Sequence, residues 1–131
     1  TIAGAARLAS EHLAQELRAG LRVRDLLARA SVLGAANDLV PAAAVVAPEV
    51  VGFRRALIRQ LGRPVGQSGS GPTHWALYAA FDEAAEAAER LRAAASSGEL
   101  PSPGTRPVVV EAVRILAGPG GPAAATGGEP R

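Results

Sequence analysis

Cysteine is absent from the 131 residues. That removes disulfides, thiolate metal ligands and cysteine nucleophiles, and it suits a reducing, cytoplasmic setting. Lysine is absent as well: all 14 basic residues are arginines, set against 12 acidic ones for a formal charge of +2. Chemistry that depends on lysine therefore has no residue here to perform it, whether a Schiff base, an ammonium steadying a transferring phosphate, or a P-loop ending Gly-Lys-Ser/Thr. Aromatics are only 3%, too few for a base-stacking platform, and the arginines are dispersed rather than massed. Nucleic acid is thus not an expected partner. Two histidines, His12 and His74, offer little basis for zinc. The longest apolar runs, such as Leu39 to Ala47, fall far short of the roughly 20 residues a bilayer requires, so no membrane partner is expected. No secretory leader is visible, and the missing first methionine, inside a helical pattern, is expected of a fragment or a processed start.

What is present is 48% apolar, much of it alanine, in a chain of one domain's length. Alanine favours helix but buries little area per residue, so the core is expected to be helical and thin. A single domain over residues 1–117 and a Gly/Pro/Ala-rich tail over 118–131 follow from the composition.

Ile2, Ala6, Ala9, Leu13 and Leu17 recur at helical spacing up to Gly20, and a short second helix is expected in "RVRDLLARA", with Val23, Leu26, Leu27 and Ala30 as its stripe. Gly34 reads as a turn. Asn37 or Asp38 is a fitting N-cap for a helix from Leu39 to Ala47. Pro48 then suits the first turn of another, with Val50, Phe53, Leu57 and Leu61 inward, Arg54, Arg55 and Arg59 toward solvent, and Gly62 and Pro64 as its stop.

The period then changes. His74 to Phe81 alternates, with Trp75, Leu77, Ala79 and Phe81 on one face, which reads as a strand with Val65 to Gln67 as its partner. "FDEAAEAAERLRAAASSG" is a helix with Asp82 as N-cap, a Glu86/Arg90 pair and Gly98 past its end. "RPVVVEAVRI" reads as a last strand. The sum is an α+β domain with helices packed on one face of a small antiparallel sheet.

The run Ser68-Gly69-Ser70-Gly71-Pro72-Thr73 is the one stretch that suggests chemistry. Glycines reach backbone angles closed to other residues, so several N–H groups can converge on an anion while serine hydroxyls add donors. A plain connection between strands is the alternative reading of the same residues. His74, Trp75, Tyr78 and Phe81 read as packing residues first, and Glu83, Glu86 and Glu89 as an ordinary charged helix face.

The order Asn37-Asp38-Leu39, Pro48-Glu49-Val50 with its helix, "GQSGSGPT", an apolar strand and a Glu/Ala-rich helix resembles the C-terminal half of the GHMP small-molecule kinases, from about Arg22 to Ile115. Within that superfamily the chain is most similar to the diphosphocytidyl-methylerythritol kinases of isoprenoid synthesis. Val40 stands where those enzymes usually have glutamate, and Gly66-Gln67 replaces a commoner small or methionine-containing lead-in. Homoserine kinases carry a similar loop, usually with alanine in place of Ser70.

The resemblance implies a ferredoxin-like domain in which Ser68, Gly69, Ser70, Gly71 and Thr73 line a cleft beside the ATP phosphates and the acceptor. It implies ATP and Mg²⁺, bound mainly by an N-terminal half that also carries the catalytic lysine and aspartate, so that no catalytic or metal-binding residue is expected in this segment. The reaction implied is transfer of the γ-phosphoryl group to a hydroxyl of diphosphocytidyl-methylerythritol. The implied partners are that small-molecule substrate, the N-terminal domain and, through exposed apolar surface, a second copy of the chain. A homoserine-kinase-type enzyme, or a non-catalytic module that binds an anionic metabolite, fits the same loop.

Overall fold

In the computed structural model, residues 2–116 are described; the expected tail over 118–131 lies outside them, as do the side chains of Ile2, Ala6, Ala9 and Val23. Five helices come first: α1 (Ile2–Arg18), α2 (Val23–Ala28), α3 (Ala30–Ala35), α4 (Val40–Val46) and α5 (Pro48–Leu61). Two short strands follow, β1 (Gly66–Gln67) and β2 (His74–Trp75), and then α6 (Phe81–Ser97).

α5 forms as its sequence dictates. Pro48 occupies the first turn, Val50, Phe53, Ala56 and Leu57 are buried, and Gly62 ends the helix at φ +61 with its N–H on the Ile58 carbonyl. Only a residue without Cβ takes that left-handed conformation cheaply. α6 matches it with Ala87, Ala88, Leu91 and Ala94 buried. Between them sits the core: Phe53, Ala56 and Leu57 from α5, Leu91 and Ala94 from α6, and Val65 and Leu100 from the flanking loops, with Leu61 partly buried against it. Leu100 and Val65 are the most enclosed side chains.

On the other side, α1 packs on α3 and α3 on β1. Leu13 is buried as its spacing predicts, but Leu17 is half exposed. The Arg29 guanidinium ties α1 to the α2–α3 junction through Glu16 at 2.5 Å.

Several expectations need correction. Gly34 is no turn but lies inside α3, buried. A Cβ there would stand 3.4 Å from the Val65 carbonyl and 3.5 Å from Gly66 Cα, so the glycine marks close approach of helix and strand. The N-cap of α4 is Leu39 rather than Asn37 or Asp38, and that of α6 is Ala80 rather than Asp82, which lies in the first turn. The Glu86/Arg90 pair does not form; Arg92 instead pairs with Glu89 and Glu111.

The sheet has two strands only, antiparallel, with Gly66 opposite Trp75 and Gln67 opposite His74. The expected strand over His74 to Phe81 is a ladder at His74 and Trp75 only; residues 76–78 belong to no regular element, Ala79 and Ala80 bend, and Phe81 opens α6. The expected last strand over 106–115 keeps its alternation, with Val108 and Val110 against the core and Val109 and Val113 exposed, but makes no ladder. Arginines take carbonyls on both facing segments: Arg63 donates to the Leu77 carbonyl, while Arg92 donates to that of Val110 through Nε at 3.1 Å and Nη2 at 2.7 Å. A cleft of about 1420 Å³ remains between the segments, floored by Leu57, Ala87 and Leu91. The α+β class and the antiparallel pair thus stand, with two strands among the described residues.

Candidate functional site

The Gly-Ser loop connects β1 to β2, and its ends are set by that pairing. Gly66 lies directly under the Trp75 indole; a Cβ at 66 would fall 2.1 Å from Trp75 Cζ2. Within the loop, the Ser68 amide donates to the Thr73 carbonyl at 2.8 Å and the Gly71 amide to the Ser68 carbonyl at 3.0 Å. Gly69 and Gly71 turn the chain at φ +55 and +86. Two of the five loop amides are therefore used internally. No described residue accepts from the amides of Gly69, Ser70 and Thr73, and all three residues are exposed. Pro72 has no amide proton.

The loop is fixed from the helical side by Asn37, whose Nδ2 donates to the carbonyls of Gln67 and Gly69, each at 2.8 Å. Its Oδ1 accepts from the Leu39 amide at 3.0 Å, which orients the amide group so that both protons face the loop. The expectation of a simple helix cap is corrected accordingly: Asn37 holds the loop, while Asp38 is exposed. The distinction was illegible in sequence because the second carbonyl is 32 positions away.

Arg54 is the second correction. Expected in solvent with Arg55 and Arg59, it is half-buried and its Nε donates to the Val65 carbonyl at 2.8 Å, bracing the residue before β1. Arg55 and Arg59 are exposed as expected.

His74 follows the loop and packs, as its place on a strand predicts. Its ring meets Phe53 edge-on at 5.5 Å, and Nδ1 lies 2.8 Å from the Pro72 carbonyl. Burial holds its pKa below the usual histidine value, the Pro72 carbonyl opposes that by accepting from Nδ1, and the Arg54 charge adds to the lowering. The ring is therefore neutral near pH 7, with its proton on Nδ1. Across the ladder, Gln67 is the one polar residue buried among the described residues, 6% exposed. Sequence reading passed over it; a glutamine in an otherwise apolar strand was the available signal.

Tyr78 is covered by the Arg63 guanidinium, 3.7 Å from the ring centroid, and Phe81 by Arg114 at 4.6 Å. Tyr78 is partly buried as a packing residue should be, but Phe81, expected to pack, is 42% exposed at the start of α6. Chemically, the loop presents three N–H groups that no described residue uses, beside the exposed Ser68, Ser70 and Thr73; N–H and hydroxyl groups are the donors that oxygen-rich anions accept from. Among the described residues no group of three or more histidines, aspartates or glutamates is placed to hold a metal ion. Among them, too, no helix is long and apolar enough to cross a membrane.

A family model described as "GHMP kinases C terminal" matches residues 13–97, a span that includes the loop, Asn37, Arg54 and His74. No curated protein and no solved structure matches the chain.

Proposed function

The chain belongs to the GHMP kinase C-terminal family, and from that premise we propose that it forms one wall of the phosphoryl-transfer cleft of a small-molecule kinase. Ser68, Gly69, Ser70, Gly71 and Thr73 are the phosphate-facing residues in this reading. The observation that carries it is the set of unpaired amides at Gly69, Ser70 and Thr73 on a loop tied down by Asn37. Donors fixed in advance need no reorganisation when charge develops on a transferring phosphoryl group, and catalysis of this type rests on such positioning.

ATP and Mg²⁺ are held mainly by an N-terminal half, which also supplies the lysine this sequence lacks. The acceptor is a hydroxyl of diphosphocytidyl-methylerythritol, a reading supported by Ser70 within the Ser-Gly-Ser-Gly-Pro-Thr run. The working unit is therefore two-part, and this chain alone does not turn over.

The test is an amide NMR titration of the chain with inorganic phosphate, ATP and a cytidine diphosphate compound, beside a kinase assay with and without the N-terminal half. Expected are shifts at Gly69, Ser70 and Thr73 and turnover only with both halves. Robust turnover by the chain alone refutes the division of labour. A loop silent toward all three ligands refutes the phosphate-facing role, and a response to inorganic phosphate alone removes the cytidine-linked acceptor.

A further inference from the structure

Arg63 follows the Gly62 stop of α5 and reaches the chain that continues from β2. Its Nη1 donates to the Leu77 carbonyl and its guanidinium covers the Tyr78 ring at 3.7 Å, so the charged group is held in place. Among the described residues nothing accepts from its Nε, which is buried, and no carboxylate pairs with it. A half-buried cation without a counter-ion is unfavourable, because part of its hydration is gone and no opposite charge replaces it. Glu83, in the first turn of α6, is likewise a carboxylate with no ion-pair partner among the described residues. Both line one cavity of about 290 Å³. The rest of its wall is apolar, chiefly Leu27 of α2, Ala30 of α3, and Leu77 and Ala79 of the chain after β2. Ala79 and Glu83 are exposed, so entry does not require the loop that Asn37 fixes to move, and none of Ser68 to Thr73 borders the cavity.

We infer that this cavity binds a small aliphatic α-amino acid, with its carboxylate on Arg63, its ammonium on Glu83 and its side chain against Leu27 and Leu77. A carboxylate without an amine gains Arg63 but meets the repulsion of Glu83, and an amine without a carboxylate meets the reverse. A zwitterion answers both charges with one molecule. Ligand cavities begin at about 300 Å³, so this one suits a small metabolite rather than a nucleotide. The planar guanidinium is the side chain best matched to a carboxylate, and its anchorage on Leu77 and Tyr78 leaves little ordering to be done on binding. The inference goes beyond the kinase reading and does not rest on it.

The test is a calorimetric and ¹⁵N NMR titration of the chain with L-valine, with isovalerate, which lacks the ammonium, and with isobutylamine, which lacks the carboxylate. Valine is expected to bind and to move the Leu77, Ala79 and Glu83 amides while those of Gly69, Ser70 and Thr73 stay in place. Isovalerate and isobutylamine should each bind at least about tenfold more weakly, the loss of one hydrogen bond between charged groups. E83Q, a change at an exposed position, should lower valine affinity by a similar factor. The site is overturned if valine binds no better than either analogue, if E83Q leaves its affinity unchanged, if valine moves the loop amides instead, or if none of the three ligands binds. The ligand series on the unmodified chain decides the matter even where a variant fails to fold. Failure here leaves the kinase reading to its own ligands, since none of the three carries a phosphate.

Discussion

Asn37 and Gly69, 32 positions apart in the chain, are joined by a 2.8 Å hydrogen bond from the side-chain amide of the first to the carbonyl of the second. The same nitrogen holds the Gln67 carbonyl, so one residue at the entrance to α4 fixes the strand end and the loop crest together. Asn37→Ala is expected to cost about 1 to 3 kcal/mol, from two carbonyls losing their donor. Asn37→Asp should cost more, because a carboxylate then faces two carbonyl oxygens. Urea unfolding of the two variants checks the order; an aspartate variant as stable as the native chain removes the clamp.

Gly66 under Trp75 gives the sharpest steric expectation. Gly66→Ala places a methyl 2.1 Å from the indole, and the ring must leave its site. Overpacking of this kind costs about 3 kcal/mol. Trp75 is the sole tryptophan, so an intrinsic fluorescence change reports its displacement directly; an unchanged spectrum with unchanged stability contradicts the packing described.

Leu100 is 1% exposed and Val46 87% exposed, though Leu100 sits in the polar run Ser96 to Gly104 and Val46 in an apolar stretch. Leu100→Ala should destabilise by about 2 to 5 kcal/mol through lost burial and the cavity left behind. Val46→Ala should fall within about 0.5 kcal/mol of the native chain. Thermal melts of the pair suffice to check this contrast.

His74 sets a pH dependence. Its folded pKa is lowered, chiefly by burial, so the unfolded chain binds a proton at higher pH than the folded one. The stability it contributes is complete above the unfolded value of about 6.5 and is lost as pH falls from there through the folded value. His74→Phe, which keeps the aromatic contact with Phe53, should flatten the stability profile over that interval. A slope equal to that of the native chain assigns the dependence to other groups.

Arg92 holds the extended C-terminal segment to α6 through the Val110 carbonyl. Arg92→Ala should speed hydrogen exchange in residues 107–113 and leave the loop between β1 and β2 unaffected. Equal protection in both proteins places the anchor in the packing of Val108 and Val110 instead.

The helices that carry the core were legible because their periodicity is local: Val50, Phe53 and Leu57 fall on one face of α5 whatever surrounds them, and Gly62 stops it for reasons internal to its own φ. The Ser68 to Thr73 loop was visible as composition for the same reason. Asn37, Arg54 and Gln67 were misread or passed over because their roles depend on what lies opposite. A short amide near a helix start has the same signature whether it caps that helix or reaches a distant strand, and an arginine in a charged cluster does not announce which carbonyl it will find.

The sequence by itself determined the family, the helical faces and the place of the glycine-rich turn, since each rests on residue type and on spacing within a few turns of chain. Tertiary structure alone decided that Gly34 is a contact rather than a bend, that the 106–115 segment stays out of the ladder, and that the Gln67 carboxamide is buried beside Gly71. Those outcomes turn on which carbonyls arginine side chains reach and which backbones approach within a Cβ radius. Such distances come into being only when segments far apart in the chain pack against one another.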